Sequence, residues 1–372
     1  SFLARLLLLY SLDPDFAESR LLLARIYLEQ QEYQAAIDTL LAKMDQESSR
    51  FWYFLGRGYA GLGDNMKAVN AYHRALEISP DSEIIRITAE NSALDTLDAN
   101  SSVRIGYAEE RFDRARGFQE RNYLSKAISE FRRGLLLYPD SYQGRMDYAG
   151  TIRQSGHEQK YLDILKAIRS AGFDTTELTD LIESTEATME PGVGSQWEIN
   201  QYDTERTTYS FLVFFETRRK QLDRFRTDEE IARYLVHLML GNERVVVDRV
   251  VQHSEGFASN FANARNTGSD YFILLSIEED ERSIYIDAEI YHSRTGNFLQ
   301  KIEIFRTGNE RISGALQQVV NELGQKLPVA GKILDRNFNE GLINLGWTDI
   351  KLEDQQFDIV KQGKAALSGD TF

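Results

Sequence analysis

Residues 50–80 read RFWYFLGRGYAGLGDNMKAVNAYHRALEISP, and the order of large and small side chains in this stretch narrows the choice of fold more than any other feature of the chain. Trp52, Leu55, Gly56 and Tyr59 recur at helical spacing. Trp52 and Tyr59 put bulk on one face of a first helix, while Gly56 and Ala68 are small enough to let a second helix close against it. Gly61-Leu62-Gly63-Asp64 is the turn between them. Tyr72 and Ala75 continue the apolar stripe, and Pro80 stops the second helix. A single helical hairpin of this kind cannot bury its apolar face alone, so the unit must recur and stack.

It does recur. Leu23, Ala24, Tyr27, Ala36 and Leu40 take equivalent places upstream, without the terminal proline. Ala24 and Gly56 stand slightly closer than the ~34-residue period of such repeats, and a short deletion at the turn accounts for the difference. Residues 1–14 carry Ala4, Leu7 and a closing Asp13-Pro14, as expected for the second helix of an incomplete repeat. The LLLL run within them is bounded too tightly by Arg5 and Pro14 to span a membrane. Residues 83–107 keep helical periodicity through Ile84, Ile87, Leu94 and Leu97 but lose the signature, which fits either a degenerate half-repeat or an inserted helix. The pattern returns with Ala115, Phe118, Ala127, Phe131 and Pro139. A further unit follows with Tyr148, Ala149, Ile152, Tyr161, Leu165 and Ile168, ending at Ala171-Gly172. A helix over 177–186 has the polar outer face of a cap. The order W-x2-L-G-x2-Y, then A-x3-F, then P, resembles the tetratricopeptide repeat. The resemblance implies an all-α solenoid over 1–188 that binds other proteins along its concave groove.

Near Met189 the character changes. EPGVGS has the Pro and Gly of a linker, and strand patterns follow. Strands are expected over 207–216, 244–251, 271–278, 283–292 and 298–306, and helices over 228–240, 255–266 and 309–326. Arg294-Thr295-Gly296-Asn297 turns a hairpin. Crossover helices favour parallel pairing of the first strands, and the hairpin is antiparallel. A small α/β domain over 195–327 results. From 328 to 372, short strands broken by Gly and Asp predict a small β-barrel or SH3-like module, incomplete at its end. The element order, with VVVDRV after a helix and then GSDYFILLSI, resembles the amino-terminal domain of TolB and the CsgG and FlgT groups. GLINLGWTDIKLEDQQFDIV resembles the FlgT carboxy-terminal module at Asn344, Gly346, Asp349 and Phe357. It departs from that pattern at Glu353-Asp354, where the family has Gly-Asp, and carries one extra Gln before Phe357. Joined to a repeat array, such a module resembles collar components of the periplasmic flagella of spirochaetes.

At 372 residues the chain is long enough for two or three domains. Its formal charge of −15 argues against nucleic acid and against docking on an anionic membrane. The absence of cysteine excludes disulfides and thiolate metal sites, and fits an oxidising compartment such as a periplasm. No run reaches the length of a membrane-spanning helix. The chain opens without Met and inside a helical pattern, which reads as a fragment or a processed form; a signal peptide or lipid anchor that preceded it would not be visible in this sequence.

Catalytic signatures are missing. The five histidines form no HxxxH or HExxH pair, and the sequence holds no GxSxG or P-loop; Gly56-Arg57-Gly58-Tyr59-Ala60-Gly61 matches GxGxxG only in letters, because it lies within the first helix of the repeat and not between a strand and a helix. His237 falls near the apolar face of a helix and reads as a packed or hydrogen-bonded residue. The acidic run Glu278-Glu279-Asp280-Glu281 falls at a hairpin tip, where charges stay solvated and blunt edge pairing; it lacks the spacing of a calcium loop. Arg218-Arg219-Lys220 with Arg224 and Arg226 is a basic cluster that suits a solvated loop or a contact with an acidic subunit. The expectation is a protein that is not an enzyme and has no cofactor and no metal.

The candidate binding surface comes from the repeat resemblance. Leu21, Tyr53, Phe112 and Met146 take one position that faces the groove in peptide-binding members, and Arg25, Arg57 and Arg116 take the next. Arg153 lies one turn further along. Arginines beside apolar or aromatic residues can clamp carboxylates, so the groove is expected to hold an acidic segment of another protein. The alternative is that these arginines pair with local acids such as Glu18 or Glu109. The function these features imply is a non-enzymatic scaffold for a periplasmic assembly, a flagellar collar or motor component in a ring or hetero-oligomer. The alternative is an envelope-anchored activator of a peptidoglycan synthase.

Overall fold

Small residues set the spacing of the first helical pairs. A Cβ on Gly56 would stand 2.6 Å from the Tyr72 ring, and one on Gly144 would stand 2.5 Å from Phe112. At these points a side chain of one helix occupies the space over the backbone of another. The computed structural model describes residues 13, 16–188, 207–217, 227–242, 244–280, 282–338 and 340–345. Among them are thirteen helices and eight strands. The amino-terminal incomplete repeat, the linker over 190–195 and the basic cluster of Arg218 to Arg226 lie outside the described residues.

The first ten helices are α1 (Ala17–Glu29), α2 (Tyr33–Leu41), α3 (Ser49–Gly61), α4 (Asn65–Ile78), α5 (Glu83–Thr96), α6 (Ser102–Glu120), α7 (Leu124–Leu137), α8 (Tyr142–Gln154), α9 (Glu158–Ser170) and α10 (Thr176–Thr188). The pairs α1–α2, α3–α4, α6–α7 and α8–α9 pack as hairpins. Side-chain caps start several of the first helices. Ser48, Ser101 and Ser141 accept from Phe51 N, Arg104 N and Gly144 N, each satisfying an amide that the helix leaves unpaired. The stretch over 83–107 that lacks the signature is helical. It holds α5 and the start of the long α6, divided at Asp98–Ser101, where Ser101 N–H donates to the Asp98 carbonyl. At the far end Tyr161, Leu162, Leu165 and Ile168 of α9 pack with Leu178 and Ile182 of α10.

A mixed sheet follows. Its strands are β1 (Tyr209–Thr217), β2 (Val245–Val247), β3 (Gln252–His253), β4 (Tyr271–Glu279), β5 (Ser283–His292) and β6 (Phe298–Thr307), in the order β2-β1-β4-β5-β6, with β3 also on β1. β1 pairs in parallel with β2, β3 and β4, whereas β4, β5 and β6 are antiparallel. Three helices serve the sheet: α11 (Thr227–Met239), α12 (Phe257–Thr267) and α13 (Arg311–Lys326). The strand expected over 244–251 is broken. Asp248 Oδ1 accepts from Val250 N at 3.0 Å, a local turn that competes with the ladder and leaves two short strands in its place. Gly296 sits at φ +71° in the β5–β6 turn, a backbone state that glycine enters without steric cost.

The acidic hairpin tip is less solvated than its sequence suggests. Glu279 is buried and pairs with Arg311 of α13 at 2.6 Å. The turn itself is organised by Asp280, which accepts from Arg282 N and Ser283 N. Glu281 is not among the described residues.

The contacts divide the chain into two compact units. One joins the helical array to 208–326, and the other consists of 191–207 with 327–372. In the second unit the described structure is the antiparallel pair β7 (Ile333–Asn337) and β8 (Glu340–Ile343). The phrase with Gly346, Asp349 and Phe357 lies outside the described residues.

Candidate functional site

Helix α11 has the sequence TDEEIARYLVHLM and is buried along nearly its whole length. A helix buried all round needs partners on every side. Ile231, Leu235 and Leu238 form one buried stripe, and the helix packs on β1, β4 and α13. On the other side Glu230, Arg233, Tyr234 and His237 recur at helical spacing and meet the repeat array.

The array receives them with charge. Glu230 Oε1 accepts from Arg57 Nη1 at 3.1 Å, and Glu230 Oε2 accepts from Asn91 Nδ2 at 2.7 Å. Arg57 is held from below by the Tyr53 hydroxyl, which accepts from Nε at 3.3 Å and from Nη2 at 3.1 Å. Asn91 Oδ1 accepts from Arg133 Nη2 at 2.8 Å, and Arg133 Nε donates to Glu90 at 2.7 Å. Glu90 also takes both arms of Arg111, at 2.6 and 3.0 Å, while Arg111 Nη1 reaches Glu130 at 2.9 Å. Three carboxylates and three guanidiniums thus alternate through α7, α6, α5, α11 and α3, all of them buried. Tyr234 completes the contact, with the guanidinium of Arg133 5.4 Å and that of Arg111 5.8 Å from its ring centre.

Burial without pairing would push these groups toward neutrality. Burial works to raise the Glu90 carboxyl, but the charges and hydrogen bonds of Arg111 and Arg133 outweigh it and hold the group below the ordinary carboxylate range. Burial likewise works against the charge on Arg57, and Tyr53, Tyr72 and Glu230 outweigh it. The Tyr234 hydroxyl is pushed up to about 12, chiefly by burial. His237 moves the other way. Burial, together with Arg133, Arg132, Arg111 and Arg249, drives its imidazole well below the usual histidine value. Its backbone oxygen accepts from Arg132 at 3.3 Å, and its Nε2 has no hydrogen-bond partner among the described residues.

Further bonds fasten the same two parts. Arg233 takes both oxygens of Asp95 at 2.7 Å. Glu83, at the start of α5, accepts from Ile312 N and Ser313 N in the first turn of α13, where a helix presents unpaired amides and positive potential. Lys126 pairs with Glu310 at 2.8 Å, and Ser129 donates to Gln317 at 2.8 Å.

The residues singled out in the sequence divide accordingly. Leu21, Tyr53 and Phe112 lie in the core of the array, not on an open groove wall, because each meets the opposing helices. Phe112, for example, lies over Gly134 and Gly144. Met146 is half-buried against the α8–α10 core. Arg25 pairs with Glu29 on its own helix at 2.9 Å. Arg116 is shared between Asp113 at 2.7 Å and Asp147 at 2.9 Å. Arg153 reaches Glu158 at 3.3 Å and covers the Tyr161 ring. Glu18 pairs with Arg50. Of the four arginines, Arg57 is the one met by an acidic helix, and that helix belongs to the same chain. Sequence reasoning missed Glu90, Asn91, Arg111, Glu130, Arg133 and Glu230. The available signal was opposite charges placed next to buried apolar positions, as in Arg111-Phe112 and Glu130-Phe131.

Two family models match parts of the chain. A tetratricopeptide-repeat model matches residues 49–82, the pair α3–α4 with the turn after it. A model described as the second domain of a family matches residues 208–325. Solved structures similar to the chain include that of MamA, at 15% identity over 45% of this chain and 85% of that one, with a TM-score of 0.22. Another is MamA from residue 41 to its end, from Desulfovibrio magneticus RS-1, at 13% identity over 41% and 94%, with a TM-score of 0.21. A third is protein XCC0632 from Xanthomonas campestris, at 11% identity over 32% and 86%, with a TM-score of 0.21. No curated protein matches the chain. Among the described residues, no helix is long and apolar enough to cross a membrane.

Proposed function

We propose that the protein is a non-enzymatic protein-interaction scaffold that works in the periplasm of a bacterial envelope, within a flagellar collar or motor assembly. The observation that carries the scaffold reading is the fusion of a tetratricopeptide array to a sheet module through a buried ionic core. Such a fusion holds two surfaces at a fixed spacing, which is the mechanical requirement for bridging subunits. The envelope and flagellar setting rests on the resemblance of 195–327 and of the Asn344 phrase to TolB-like and FlgT-like modules, and on the absence of cysteine. Partners are other protein subunits, and the surfaces they use lie away from the face that α11 occupies.

Cross-linking in the native cell, followed by affinity capture and mass spectrometry, tests this. Flagellar motor or stator proteins in the captured material are the expected result. Cell-wall polymerases would replace the collar with the activator reading. Cytoplasmic enzymes and chaperones alone would overturn the envelope assignment.

A further inference from the structure

At one end of the inner strands of the mixed sheet, the starts of β1 and β4, the end of β5, the last turn of α12 and the β5–β6 turn line a bowl of about 660 Å³. Its floor is aromatic. Tyr271 is buried and stacks at 5.2 Å on Phe211, with Tyr209 edge-on at 5.8 Å and His292 at 4.8 Å. The floor is also rigid. Asp270 accepts from the amide and the hydroxyl of Ser210 through one oxygen, each at 2.8 Å, and its own amide donates to Ser210 Oγ at 2.9 Å.

The rim carries Arg265 from α12 and Arg294 from the hairpin turn. Both are exposed, and neither guanidinium has a hydrogen-bond or ion-pair partner among the described residues. Elsewhere in the compact unit Arg57, Arg111, Arg116, Arg133, Arg233 and Arg311 are paired with carboxylates, whereas Arg265 and Arg294 stand together on one rim with their charges uncompensated. In a chain of formal charge −15, an aromatic bowl with two unpaired cations on its rim is a local reversal of sign. The one acid in the lining, Asp270, already has an oxygen committed to Ser210.

We infer that this bowl is a docking site for a carboxylate-bearing peptide segment of a partner protein. Guanidiniums bind carboxylates in two-pronged fashion, and aromatic floors supply the contact area on which interface affinity concentrates. The inference rests on the scaffold reading and gives it a specific surface.

The test is selection of a displayed random-peptide library on the intact chain, with the Arg265→Glu/Arg294→Glu variant as counter-target. Calorimetric titration of the selected peptides follows, with glucuronate as a small sugar-acid control. Both substitutions are at exposed positions, so an unchanged circular-dichroism spectrum is expected of the variant, and Arg265→Gln/Arg294→Gln provides a second, milder variant. The expected result is enrichment of Asp or Glu beside an aromatic or aliphatic residue, with affinity falling at least about tenfold in both variants, a loss of ~1.4 kcal/mol. Peptides without acidic enrichment, equal binding to wild type and variants, no enrichment at all, or binding of glucuronate in place of peptides would overturn it. Any of these results alongside captured envelope partners would remove the bowl and leave the scaffold reading standing. Capture of no partner protein would remove the scaffold reading itself.

Discussion

Arg57 and Glu230 form one of the buried contacts that join the array to the sheet module. Both are buried, so removing one takes from the other a charged partner where water does not readily replace it, although Glu230 keeps Asn91 and Arg233 and Arg57 keeps the Tyr53 hydroxyl. Glu230→Ala is expected to cost about 3–5 kcal/mol, the range for breaking a buried pair from one side. The double variant with Arg57→Ala should recover part of that loss, and urea denaturation of the four proteins in the cycle measures the coupling. His237 predicts a pH dependence. Its folded-state value lies well below the ordinary one, so on acidification the unfolded chain takes up a proton near pH 6.5 that the folded chain refuses. Stability is therefore complete above that pH and falls as pH drops toward the folded value, by up to ~1.4 kcal/mol per pH unit from this residue. Denaturation midpoints at pH 7.5 and 5.5 should converge in His237→Gln relative to the wild type. An equal acid loss in both proteins would assign the effect to carboxylates such as Glu90, whose lowered value also makes stability decline on acidification, but in a lower pH range.

At the scale of elements, the packing of α3 against α4 depends on the absence of a side chain at Gly56. Gly56→Ala places a methyl carbon 2.6 Å from the buried Tyr72 ring, and about 1–3 kcal/mol of destabilisation is expected, read as a lower thermal midpoint. Tyr234→Ala in α11 removes a fully buried ring and two cation–π contacts, and should cost about 3–5 kcal/mol. These elements were not equally legible in the sequence. The repeat helices and the sheet strands could be placed to within a few residues, since their signals are local: helical spacing around Trp52 and Tyr59, and strand character in TTYSFLVFFE. The broken strand at Asp248 was not legible, because an aspartate turn competes with the ladder only when the neighbouring strand leaves room. The ionic core was not legible either. Glu90 and Arg111 look like ordinary surface charges until the fold fixes which helices stand opposite one another, and Glu230 lies far from Arg57 in sequence. The groove pattern singled out Arg57 for an acidic segment of another protein, whereas in the structure its guanidinium pairs with Glu230 of the same chain, a partner that the spacing within one repeat carries no information about.

For the whole molecule, the ion pairs and hydrogen bonds joining α3, α5 and α7 to α11 and α13 predict that the array and 208–326 unfold together. Calorimetry should show a single transition for this unit. Disrupting the junction with Asp95→Ala and Glu230→Ala should lower that transition and broaden or split it, as the two parts gain independent stabilities. A wild type that melts in two well-separated steps would contradict the shared core.

The burial of α11 also bears on how the protein must be handled. In synthesis the repeats leave the ribosome before residue 227, and until then Arg57 and Asn91 line a vacant berth shaped for a helix with a glutamate in its first turn. The same berth reopens in any fragment cut after the last repeat. Such a fragment, used as bait, would retrieve acidic amphipathic helices with convincing affinity and sequence preference. It would be reporting the chain's own missing piece, and the intact protein would have no room for any of them.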